Sequence, residues 1–176
     1  MKYIALLRGI GPGDARMTND KLRSVFESLG FSDVKSLISS GNIIFSSNVV
    51  PSESNIEKAI EEQLGFFRPI VIRNQSEIGS LLDLNPFGEF AHSQKNYTLV
   101  TFLKRPKESL PFDIPYESLD GYFKIIYFDK KAQALFSMTD HTMVKTPKVM
   151  TWLEKQLGKD ITSRTWNTIE RINKKF

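Results

Sequence analysis

Three stretches of the 176-residue chain concentrate the polar groups that could act on a ligand. The first is the loop Arg8-Gly9-Ile10-Gly11-Pro12-Gly13-Asp14, followed by Arg16, placed where a strand gives way to a helix. Phosphate loops occupy such junctions, but this one lacks G-K-[ST], and Asp14 stands where a dinucleotide fingerprint needs its third glycine. Pro12 removes one amide that an anion-cradling nest would use. Two readings stay open: a loop of left-handed turns, or an anion site between Arg8 and Arg16. The second stretch, Ser39-Ser40-Gly41-Asn42, is first of all hairpin-turn chemistry. The third, Thr162-Ser163-Arg164-Thr165-Trp166-Asn167-Thr168, crowds hydroxyls, an amide and an arginine into what reads as the first turn of a helix. Unpaired N–H groups and the helix dipole favour an anion there. Capping explains Thr162 or Ser163, whereas Arg164 opposes the dipole unless an anion or carboxylate sits nearby.

Other chemistries find no residues to carry them. With no cysteine, disulfides, thiolate nucleophiles and Cys-ligated zinc or iron–sulfur centres are excluded. His92 and His141 lie far apart in the sequence without metal spacing, so no protein-held metal and no cofactor is expected. There is no G-x-S-x-G, no supported Ser/His/Asp set and no acidic cluster at metal spacing. No catalytic residue is assigned, and a non-enzymatic or weakly catalytic protein is expected. Asp140-His141 reads as a solvated turn. The strand aromatics Tyr97, Phe102, Tyr122 and Phe128 lack the RNP1 pattern and read as core. The apolar run at the N-terminus is too short for a signal peptide or a membrane span, so a cytoplasmic protein with no membrane partner is expected. The net charge of +4 is mild, but residues 141–176 hold eight basic against three acidic side chains, a local +5. Solvated helix faces are the plain explanation of that excess.

The elements that position these groups follow from periodicity and punctuation. Tyr3–Arg8 reads as a buried strand. Thr18 caps a helix bearing Leu22, Val25, Phe26 and Leu29, and Gly30 stops it. Val34–Ile38 and Ile43–Ser46 are strands of a hairpin. Ser54-x-x-Glu57 forms a capping box before the stripe Ile56, Ala59, Ile60 and Leu64, which Gly65 ends. Pro69–Arg73 is a further strand, which completes the split β-α-β-β-α-β order of a ferredoxin-like sheet. Beyond it, Ser76 caps a short helix that breaks at Asn85-Pro86, and Tyr97–Leu103 is a strand. Three prolines limit residues 104–120 to one or two helical turns. Tyr122–Phe128 and Ala132–Met138 are strands. Thr146-Pro147 starts a helix bearing Val149, Trp152, Leu153 and Leu157, and a last helix runs from about Arg164 to Lys175. The expected fold is therefore α+β: two ferredoxin-like βαββα(β) halves in tandem, antiparallel sheets covered by helices, with an extra C-terminal helix. The halves are placed at 1–74 and 75–176, with the joint within 74–96.

At these motifs the sequence resembles the bacterial domain of unknown function 1697 family. ALLRGIGPG with Met17, the hairpin SLISSGNIIF and the closing TSRTWNT look like its three signatures. LGF at 29–31, GFFRPIVIR at 65–73 and NPF at 85–87 fall in the expected order. The resemblance implies a small protein of tandem ferredoxin-like halves with no established activity. It marks Arg8, Gly9, Ser40, Gly41, Asn42, Thr162, Arg164, Trp166, Asn167 and Thr168. The family loop usually reads R-G-I-N-x-G-G, and here Gly11 replaces the Asn and Asp14 the second Gly. The closing motif usually reads T-x-R-N-W-N-T, and Thr165 stands for its first Asn. If those amides hold a ligand, this chain holds it differently or has lost it.

The expectation is a binding protein in which the three signatures converge on one polar groove. Arg8, Gly9, Arg16, Ser40, Asn42, Arg164, Asn167 and Thr168 are its candidate ligand-binding residues, and a nucleotide or nucleic-acid phosphate is the expected partner. The alternative is a structural or protein–protein interaction module, whose signatures are turns, caps and packing, with Trp166 buried. No feature of the sequence speaks to an oligomeric state.

Overall fold

The opening apolar run is a strand, β1 (Lys2–Leu7), buried from Tyr3 to Leu7. The computed structural model describes residues 1–9, 17–38, 41–88, 90–142 and 148–176, which group into two units, Met1–Gly79 with Ile172–Phe176, and Ser80–Arg171. In the first unit, β1 is central. It pairs antiparallel with β3 (Asn42–Ser46) on one side and β4 (Ile70–Asn74) on the other, and β2 (Ser32–Ser36) lies outside β3. The order β2-β3-β1-β4 is that of a ferredoxin-like sheet.

Two helices cover one face. Thr18 caps α1 (Asn19–Ser28) as expected, its hydroxyl accepting from Lys21 N at 3.4 Å. Leu22, Val25 and Phe26 of α1 meet Ile56, Ala59 and Ile60 of α2 (Glu53–Leu64) over Tyr3, Ala5, Leu7, Ile43 and Phe45. The Phe45 ring lies 5.2 Å from Phe26 and 4.6 Å from Phe31. Burying each such aromatic contributes about 1.5–3 kcal/mol. Gly65, at φ 76°, closes α2 in the left-handed conformation that glycine adopts without steric cost.

The expected capping box does not form. Ser52, extended after Pro51, caps α2 and accepts from Asn55 N. Glu57 instead turns inward and is buried, its carboxylate accepting from Ile70 N at 2.7 Å. The reason lies in β4, the outer strand. Its alternate N–H groups point away from β1, and three glutamates receive them: Glu57 at Ile70, Glu53 at Ile72 (2.8 Å) and Glu77 at Asn74 (2.7 Å). A charge-assisted bond to an otherwise unpaired N–H outweighs a local cap. Arg73, also buried, is pulled down in pKa by desolvation, while Glu77 and Glu53 oppose that shift. A second correction follows at α3 (Gln75–Leu84). Asn74, not Ser76, is its cap, with Asn74 Oδ1 accepting from Glu77 N at 2.9 Å as Glu77 accepts from Asn74 N.

In the second unit β5 (Tyr97–Leu103) lies between β8 (Ala134–Thr139) and β9 (Ile161–Thr165); β7 (Phe123–Asp129) follows β8, and β6 (Tyr116–Glu117) lies at the edge. The order is β6-β7-β8-β5-β9, and without β6 it repeats the arrangement of the first sheet. Residues 104–120 form no helical turn, against expectation. Pro106, Pro111 and Pro115 each withhold an N–H, and the segment contributes only β6. Leu99, Leu103 and Leu135 pack under Val149 and Leu153 of α4 (Lys148–Leu157). The expected start of α4 at Thr146-Pro147 lies outside the described residues. The last helix begins later than expected. Residues 161–165 are the strand β9, and only then does α5 (Trp166–Asn173) start. The β-branched Ile161, Thr162 and Thr165 suit a strand, and β5 offers its second edge to pair them.

Candidate functional site

The end of β1 gathers two of the three signatures. Leu7 N donates to Gly41 O at 2.8 Å and Arg8 N to Pro69 O at 3.0 Å, so the Arg8-Gly9 loop, the Gly41-Asn42 turn and the entry to β4 meet at one end of the sheet. Gly9 at φ 68° and Gly41 at φ 70° adopt the left-handed backbone that such a junction needs. Asn42 is fully buried. Its Nδ2 donates to Leu37 O at 3.0 Å while Leu37 N donates to Asn42 O at 2.9 Å, so this side chain closes the hairpin. Arg16 and Ser40 lie outside the described residues, as do Gly11 and Asp14 of the loop.

The same sheet end holds two residues that sequence reasoning passed over. Arg68 precedes Pro69; its Nη1 donates to Phe67 O at 2.9 Å, and its guanidinium sits 5.1 Å from the Phe66 ring. Phe67 is 50% exposed, unusual for a large aromatic. The available signal was topological: a ferredoxin-like order sets the start of the fourth strand against the end of the first.

The third signature is built differently from expectation. In β9, Thr162 and Arg164 fall on one face, opposite Phe102 and Val100 of β5. Arg164 Nη1 donates to Thr162 Oγ1 at 2.9 Å and to Ser163 O at 2.8 Å. The side chain is half-buried, and its crowded guanidinium is desolvated, which pulls its pKa down to about 10. Thr165, not Thr162 or Ser163, is the cap of α5; its hydroxyl accepts from Thr168 N at 3.3 Å and shares a hydrogen bond with Thr168 Oγ1. Asn and Thr are both good N-caps, so the Asn that the resemblance leads one to expect here would serve the same end. Trp166 is buried against Phe87 (5.3 Å) and Phe136 (5.9 Å), whereas Asn167 is exposed.

The two histidines, remote in sequence, flank one ring. His92 and His141 lie 4.7 and 4.0 Å from Tyr97. Thr98 N donates to His92 Nδ1 at 3.2 Å, which places the proton of the neutral ring on Nε2. Burial, then the nearby His141, lowers the His92 pKa against a smaller opposing pull from Glu170. Asp140 Oδ1 accepts from Thr142 N at 2.8 Å, the geometry of a turn. Among the described residues no group of acidic, His or Cys side chains is arranged to hold a metal ion, and no helix is long and apolar enough to cross a membrane.

A family model described as "Protein of unknown function (DUF1697)" matches residues 1–114. Among solved structures, conserved bacterial protein SP0830 from Streptococcus pneumoniae is similar, with a TM-score of 0.67 at 20% identity, covering 98% of this chain and 97% of that one. That likeness extends the shared fold through the second unit. No curated protein matches the chain.

Proposed function

The chain belongs to the DUF1697 family, whose description carries no activity, and from the site alone we propose that this protein binds an anionic ligand, a nucleotide or a nucleic-acid phosphate. The observation that carries the reading is the gathering of Arg8-Gly9, Gly41 and Arg68 at one sheet end beside the half-exposed Phe67. Guanidinium groups recognise phosphate through paired N–H donors. An exposed ring beside them offers a stacking surface for a base. Arg16 and Ser40, from the same two sequence motifs, join the proposed set; Asn42 acts by holding the hairpin closed. In the second unit, Arg164, Asn167 and Thr168 are the proposed ligand contacts. A desolvated guanidinium gains more from an anion than a hydrated one does. The cytoplasm, where polyanions abound and a chain without cysteine loses nothing, is the proposed compartment.

A thermal-shift screen against nucleotides and short single-stranded oligonucleotides tests the reading. Ligand at 100 times its Kd adds about 2.7 kcal/mol of stability. The shift should shrink in Arg8→Ala and Arg164→Ala. Absence of oligonucleotide binding at low salt rejects the polyanion version. The buried Trp166 and the internal bonds of Thr165 and Asn42 favour a second reading, an interaction or structural module. On that reading every ligand leaves the melting temperature unchanged.

A further inference from the structure

The second unit contains a cavity of about 540 Å³ between α4 and the turn that joins β6 to β7. Its floor is aromatic. Trp152 stacks on Tyr116 at 4.5 Å and 27°, with Phe123 at 5.5 Å; Phe112, outside the lining, packs on Trp152 at 4.8 Å. Leu119 stands in the wall fully exposed, an apolar side chain with nothing to cover it among the described residues. Two lysines on α4 form the rim. Lys148 is satisfied: its Nζ lies 3.0 Å from Asp120 Oδ2 and 3.9 Å from the Tyr122 ring centroid. Its ammonium in turn holds the exposed Asp120 carboxyl below the usual range, against desolvation, the largest single influence there. Lys155, exposed, makes no hydrogen bond or ion pair among the described residues.

We propose that this cavity is a binding site for a small amphipathic anion, with an apolar body on the Trp152–Tyr116 floor and an anionic group at Lys155. The volume falls within the roughly 300–1,000 Å³ of small-molecule sites, and apolar walls with a few polar groups are their usual make-up. Charge decides the sign of the head group, because Asp120 already answers Lys148 and leaves one unmatched cation. Size decides against a macromolecular partner: a protein interface needs about 800 Å² per side.

Two dyes that differ in charge supply the test. The intact protein is titrated with 8-anilinonaphthalene-1-sulfonate and, separately, with its uncharged counterpart N-phenyl-1-naphthylamine. Saturable binding of one sulfonate dye per chain is expected, with displacement by dodecanoate. Lys155→Glu should weaken the sulfonate dye roughly five- to tenfold, the effect of turning an exposed attraction into a repulsion. The uncharged dye should stay within about twofold, since it lacks the group that Coulomb's law acts on. Leu119→Asp, at an exposed position that leaves the core intact, should weaken both. Circular dichroism melts should show that both variants fold like the parent. Non-saturable binding, several sites per chain, or sulfonate affinity indifferent to both substitutions would overturn the proposal.

Discussion

Glu57 shows how much one carboxylate can hold in this protein. It is buried and accepts from Ile70 N, so removing it strands a donor that water does not reach. Glu57→Ala should cost about 1–3 kcal/mol in urea denaturation. Glu57→Gln, which keeps an acceptor oxygen, should cost less. His92 makes a prediction in pH. Its folded pKa lies below the ordinary 6.5, so on acidification the unfolded chain takes up the proton first. Stability contributed by the neutral ring is complete above 6.5 and declines as pH falls through the depressed value. Denaturation midpoints across that window should drop in the parent and drop less in His92→Gln. An NMR titration of His141→Gln should move the His92 pKa upward, because one of the influences lowering it is the neighbouring imidazole. Neither carboxylate nor imidazole revealed these roles through its near neighbours in the chain.

At the scale of elements, the segment 161–168 carries the main revision. Its hydroxyls, its arginine and the following helical stripe read as one helix start, yet the first half pairs with β5 and only Trp166 begins α5. Thr165 is the hinge between the two, so Thr165→Ala should destabilise by about 1 kcal/mol, and Thr165→Asn should be nearly neutral, because asparagine caps as well. Thermal melts of the two variants separate a cap from a ligand contact. β4 makes a parallel point about edges. Its outward N–H groups are answered by Glu53, Glu57 and Glu77, which leaves an incoming strand no ladder to extend. Strands with a strong run of β-formers, such as Tyr97–Leu103, were legible to the residue. So were the Thr18 cap and the Gly65 stop, because each is set by neighbours within one helical turn. The fifth strand of the second sheet, β9, was not, since its hydroxyls and arginine read equally well as a helix start and only pairing with β5 decides between the two.

For the whole molecule, the proposed arginine contacts set a salt dependence. Each arginine that neutralises one phosphate of a single strand should add about −0.7 to the slope of log K in log[salt]. Raising salt fourfold then weakens binding roughly 2.6-fold per contact. Fluorescence anisotropy with a labelled oligonucleotide should show a slope shallower by about 0.7 in Arg68→Ala than in the parent. The sequence by itself determined the α+β class, the tandem ferredoxin-like order and the family membership that the motifs within residues 1–114 express. Those depend on periodicity, caps and turn residues, which act over a few positions. Only the tertiary structure decided that the entry to β4 meets Arg8, that His92 and His141 share Tyr97, and that Arg164 belongs to a strand. Each depends on which edge or ring a distant segment meets, and that is settled by pairing and burial across the sheet, where local pattern carries no information.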